Sequence, residues 1–65
     1  MRFDSLVRVE QTLGKKWVTY YLTLNGKYFK IATKTAMLFF HAFELHEGHP
    51  RKNQDGTITI FYYQK

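Results

Sequence analysis

Lys16-Trp-Val-Thr-Tyr-Tyr-Leu-Thr-Leu-Asn-Gly-Lys-Tyr-Phe-Lys-Ile-Ala32 is the stretch that decides how this chain is read. Asn25-Gly26 supplies the positive-φ turn that right-twisted hairpins prefer. A two-residue turn there pairs Leu24 with Lys27, Leu22 with Phe29, Tyr20 with Ile31 and Val18 with Thr33. Alternation then gives the hairpin two chemically different faces. Val18, Tyr20, Leu22, Leu24, Phe29 and Ile31 form one, which reads as a core. Trp17, Thr19, Tyr21, Thr23, Tyr28 and Lys30 form the other, which is aromatic and basic and is expected to meet solvent or a ligand.

Working outward, Ser5 to Thr12 reads as a preceding strand, with Val7 and Val9 on one side and Leu6, Arg8 and Glu10 on the other. Leu13-Gly14-Lys15 is the expected connection, Gly14 taking the unusual dihedrals. Tight turns make the three strands an antiparallel meander. After Thr33 the apolar period changes from two to that of a helix. Thr33 or Thr35 is expected to cap it, Gly48 to stop it and Pro50 to prevent its resumption. Ala36, Phe39, Phe40 and Phe43 make the stripe that docks on the sheet. Gly48 to Gly56 is a polar loop by its turn chemistry. Thr57 to Gln64 is a last strand, with Ile58, Ile60 and Tyr62 inward and Thr59, Phe61 and Tyr63 outward. The expected fold is α+β in the order β-β-β-α-β: one small domain over residues 1–65, a mostly antiparallel sheet with one helix on one face. The place of the last strand in the sheet is left open.

The chain has 65 residues, no cysteine, and five Tyr, six Phe and one Trp. So short a chain buries a smaller fraction of its surface than a longer one, and with no disulfide to help, the aromatic side chains supply the apolar area. Thiolate metal sites and cysteine nucleophiles are excluded. No apolar run reaches transmembrane length. Met1-Arg-Phe-Asp4 shows no signal-peptide pattern and leads straight into a strand. With an initial Met and no tag the chain is expected to be a complete small open reading frame, and the absence of cysteine fits an expected cytoplasmic setting. The net charge is +5, and residues 1–34 alone carry seven basic and two acidic side chains. A basic surface of this kind favours polyanions.

Three constellations remain. The aromatic and basic sheet face can stack on unpaired bases while cations hold phosphates, or lie in a DNA major groove. Its candidate contact residues are Arg8, Lys15, Lys16, Trp17, Thr19, Tyr21, Lys27, Tyr28 and Lys30. The same residue types are also plain strand formers in cross-strand pairs, and interface anchors for a protein partner. Second, Met37, Leu38, Ala42 and Leu45 form another helical stripe, expected to be covered by a second copy in a homodimer. Third, His41, His46 and His49 lack the spacing of a helical metal site and read as a solvated helix end. No catalytic residues, metal or cofactor are expected: no nucleophile–base pair, phosphate loop or pair of inward carboxylates is present.

Three strands followed by a helix is similar in architecture to the small DNA-binding domains of integrase amino termini and plant AP2 factors, although the final strand departs from that plan. That likeness is architectural and carries no residues over. From the aromatic and basic sheet face, the expected function is a small basic regulatory protein that binds nucleic acid, DNA ahead of RNA, without membrane association. The alternative is a protein-binding inhibitor or adaptor, of the kind phages and mobile elements encode to act on a host protein.

Overall fold

A computed structural model describes residues 2–11 and 17–64. Its elements are β1 (Ser5–Gln11), β2 (Val18–Leu24), β3 (Lys27–Ile31), α1 (Thr33–Ala42), β4 (Leu45–Glu47), β5 (Arg51–Lys52) and β6 (Thr57–Gln64). The sheet runs β3-β2-β1-β6-β4, with β5 also paired to β6. Every pairing is antiparallel. The α+β class is thus as expected, and the final strand lies beside β1 at the heart of the sheet.

The hairpin register follows the sequence. Leu24 faces Lys27, Leu22 faces Phe29 and Tyr20 faces Ile31. Asn25 and Gly26 have φ of 52° and 76°, both positive as a type I′ turn requires. Asp4 holds the turn from outside, its Oδ2 accepting the Gly26 N–H at 3.1 Å. The expected fourth pair, Val18 with Thr33, does not form: β3 ends at Ile31 and the chain turns into the helix.

The helix differs from its expected form at both ends. Ala32 occupies the N-cap without a side-chain hydrogen bond, so neither Thr33 nor Thr35 caps it. It stops at Ala42, where Phe43 turns extended while its N–H still bonds Phe39 O. Leu45 to Glu47 then pairs with Tyr62 to Gln64 as a strand. Sheet hydrogen bonds on β6 are available there, and they override the local helical pattern. Leu45 therefore belongs to a strand packed on the core, not to a helical stripe. Gly48 does not stop a helix. Its N–H donates to Phe61 O at 2.7 Å, and a Cβ there would stand 3.0 Å from the Tyr63 ring.

The expected 48–56 loop contains β5, which pairs Arg51 with Thr59 and Lys52 with Ile58. Asn53 N–H bonds Thr57 O at 2.8 Å, and Gly56 at φ 85° closes the turn.

The core lies between α1 and one side of the sheet. Phe3, Leu6, Tyr20, Leu22 and Ala36 are buried together, with Phe39, Phe40, Phe43 and Tyr62 packed against them. Phe3 meets Phe39 and Phe43 edge-on at 5.1 and 5.2 Å, and Phe40 bridges Tyr20 and Tyr62. The expected stripe Ala36-Phe39-Phe40-Phe43 is the docked one. Val18 and Phe29, expected in this core, share its side but stay 36% and 48% exposed. A ten-residue helix is only about 15 Å long, and its rings reach Phe3, Tyr20 and Tyr62, leaving the β3 edge uncovered.

Candidate nucleic-acid interface

The other side of the sheet, here the open side, is covered by no helix among the described residues. Cross-strand register sorts its residues into rows. One row is Tyr28, Thr23 and Ser5; the next is Lys30, Tyr21, Val7 and Phe61; the third is Thr19, Val9, Thr59 and Arg51. Beyond Phe61, Tyr63 pairs with His46. The rings make a band across the sheet. Tyr28 meets Tyr21 at 6.1 Å, Phe61 stacks with Tyr63 at 6.3 Å, and His46 lies 5.9 Å from Tyr63.

Val7 interrupts that band. It is only 1% exposed although no described element forms a second layer over it, and the rings of Tyr21, Tyr28 and Phe61 border it. The result is a shallow hollow of about 240 Å³. Val7 and Val9 of the central strand lie in it; Tyr21 and Tyr28 border it on one side, Phe61 and Arg51 on the other. Asn53 reaches the same hollow, its Nδ2 donating to Thr57 Oγ1 at 2.9 Å and Thr59 Oγ1 at 2.8 Å. That volume is below the roughly 300–1,000 Å³ of small-molecule sites.

Charge is divided between the two sides. The two acidic residues that lie in described strands, Glu10 and Glu47, both fall on the helix side. Glu10 pairs with Arg8 at 2.9 Å, and Glu47 accepts from the Tyr62 hydroxyl at 3.3 Å. Burial, reinforced by the Glu47 carboxylate, pushes the Tyr62 phenol above its ordinary value. On the open side the strand cations are Lys30 and Arg51. Asp55, at the β5–β6 turn, is engaged by Thr57: Oδ1 accepts the Thr57 hydroxyl at 2.6 Å and its N–H at 3.1 Å. The Thr57 hydroxyl first, and then its N–H, hold the Asp55 carboxyl below its ordinary value.

The candidate residues therefore divide. Thr19, Tyr21, Tyr28 and Lys30 share the open side as expected. Arg8 does not: it pairs with Tyr20 and Ile60 on the helix side and is tied to Glu10. Simple alternation along β1 puts it opposite Val7, so it is withdrawn from the face. Lys27 pairs with Leu24 and falls on the helix side too. Trp17 precedes the ladder, where alternation no longer binds. It lines a separate hollow with Arg8, Glu10, Gln11 and Val18. Lys15 and Lys16, like the Leu13-Gly14-Lys15 connection, lie outside the described residues.

Phe61, Tyr63, His46, Arg51 and Asn53 are the open-side residues that sequence reasoning left out of the site. The outward alternation of Thr59, Phe61 and Tyr63 was the available signal. Only the position of β6 beside β1 brings them to Tyr21. Among the described residues, no group of three His, Cys, Asp or Glu could hold a metal, and no helix is long and apolar enough to cross a membrane. No protein family model matches the chain, and neither a curated protein nor a solved structure does.

Proposed function

We propose that this chain is a small nucleic-acid-binding protein, regulatory and not enzymatic, whose open sheet side carries the ligand. The observation that supports it is the band of Tyr28, Tyr21, Phe61 and Tyr63 flanked by Lys30 and Arg51, on a side where no described strand places a carboxylate. Rings stack on bases, cations neutralise phosphates, and the missing carboxylates remove the repulsion that would oppose both. DNA comes ahead of RNA, in the cytoplasm.

Binding of labelled oligonucleotides across a salt series tests this. Affinity should fall steeply with salt, because each neutralised phosphate releases counterions. Lys30→Ala and Arg51→Ala should each lower the log–log slope by about 1. A folded sample that binds no oligonucleotide at low salt would pass the face to a protein partner.

A homodimer through the helix now rests on Met37, Leu38 and Ala42, all exposed, since Leu45 has left the stripe. Leu38, the most exposed of the described large apolar residues at 66%, is the probe. Sedimentation should show a dimer that Leu38→Glu dissociates; a wild-type monomer at high micromolar concentration removes the second copy.

A further inference from the structure

The hollow around Val7 gives the proposed ligand a form. We infer that the open side takes single-stranded nucleic acid, with one unpaired base seated over Val7 and Val9 between Tyr21 and Phe61. This rests on the nucleic-acid reading above and adds the strandedness and the place of contact.

The sheet is the wrong shape for a duplex. A major groove of roughly 12 Å admits a helix or a two-stranded ribbon. Five strands at a spacing of about 4.8 Å span some 19 Å between the outer axes, and the centre of this side is sunken where a groove reader must protrude. A duplex also hides its base faces in the stack. Tyr21 and Phe61 stand on either side of β1, two strand spacings apart and so about 10 Å from backbone to backbone. Val7 lies low between them. Both residues border the hollow, which offers a planar group an aromatic side chain on each flank. Single-stranded recognition uses bases splayed onto such side chains.

The polar groups at the hollow point the same way. Both amide hydrogens of Asn53 are committed to Thr57 and Thr59. Its Oδ1 is the group left to accept from a ligand. Every base carries an N–H on its Watson–Crick edge, and pairing consumes it in a duplex. Arg51, beside the hollow on β5, offers the complementary donors to a base edge or a phosphate.

Anisotropy of a labelled oligo-dT, with and without its complementary strand, tests the inference. Wild type should bind the single strand about ten-fold or more tighter than the duplex. Phe61→Leu and Tyr21→Leu should each weaken it by a similar factor with the salt slope unchanged. A centrally placed 2-aminopurine, read with the unmodified protein, should change its emission on binding, so that the test survives if either variant fails to fold. Equal or tighter duplex binding, unchanged 2-aminopurine emission in the complex, or folded variants that bind the single strand as wild type does would each overturn the single-strand inference, leaving the face as a nucleic-acid interface. Absence of binding to either form at low salt would overturn both.

Discussion

The two sides of this sheet share the same strands and differ in what closes them. On the helix side, Leu6 is fully buried in a core where Phe3, Phe39 and Phe43 meet edge to face or stacked and Phe40 meets Tyr20 and Tyr62 edge-on. On the open side, Val7, the next residue along β1, is 1% exposed beneath no described second layer, bordered by the rings of Tyr21, Tyr28 and Phe61. Those rings are spent differently. Apart from Phe29, left 48% exposed at the β3 edge, the helix-side aromatics pack on the core and meet one another. On the open side Tyr28 keeps 58% of its surface and Tyr63 keeps 41%. Apolar area left in water on a folded domain is area a ligand can still cover.

The largest expected effect separates the sides by stability. Leu6→Ala removes a fully buried side chain under a packed layer and should cost about 2–5 kcal/mol, a large share of a small domain's stability. Tyr28→Ala should cost less than about 1 kcal/mol, mostly its edge contact with Tyr21. Urea melts of both variants measure the difference. Equal losses would mean that the open-side rings serve the fold as the core does, and would remove the reason to seek a ligand for them.

A mid-sized effect sharpens where the open side is closed. Ser5 and Thr23, both buried, sit at one end of it with their hydroxyls 2.6 Å apart, and Thr23 Oγ1 also donates to Ser5 O at 3.1 Å. Thr23→Val strands the Ser5 hydroxyl and should cost about 1–3 kcal/mol. Adding Ser5→Ala should restore most of the loss, because two apolar groups need no partner. A double variant as unstable as the single one would show that the loss came from packing instead.

Much of this contrast was legible in the residues. Asn25-Gly26 fixed the register of β2 and β3, and period-two alternation put Tyr20 and Leu22 in the core and Tyr21 outside it. The helical stripe Ala36-Phe39-Phe40-Phe43 was readable because its spacing matches one face. What stayed hidden depended on long-range pairing. Nothing local places β6 beside β1, so Phe61 and Tyr63 could not be joined to Tyr21. Leu45-His-Glu47 reads as helix until β6 offers it a ladder. Phe3, ahead of the first strand, gives no periodic signal and is recognised only where Phe39 and Phe43 meet it. Arg8 is a different case. Alternation along β1 already opposed it to Val7, and its charge alone drew it onto the wrong face.

The smallest expected effect is a titration that distinguishes the sides by the direction of pH. Tyr62 on the helix side holds its proton more firmly folded than unfolded, so its contribution is complete below its ordinary value of 10.0 and fades as pH rises through the folded value. Asp55 does the opposite. Its folded carboxyl lies below the ordinary 3.8, so the folded state binds that proton less readily than the unfolded chain. The stabilisation is therefore present above about pH 4 and is lost as pH falls through the folded value. Asp55 is fully exposed, so the effect is small. It acts through the Thr57 hydroxyl and N–H that close the β5–β6 turn and set Arg51 beside the hollow. The loss in urea midpoint between pH 7 and pH 3 should be slightly smaller for Asp55→Asn than for wild type, since Asn cannot be protonated there. The same variant should bind oligonucleotide somewhat more weakly at neutral pH if the turn positions Arg51. Identical acid losses in the two proteins would mean that the Thr57 contacts do not favour the Asp55 charge, and unchanged binding would show that Arg51 reaches its place without them.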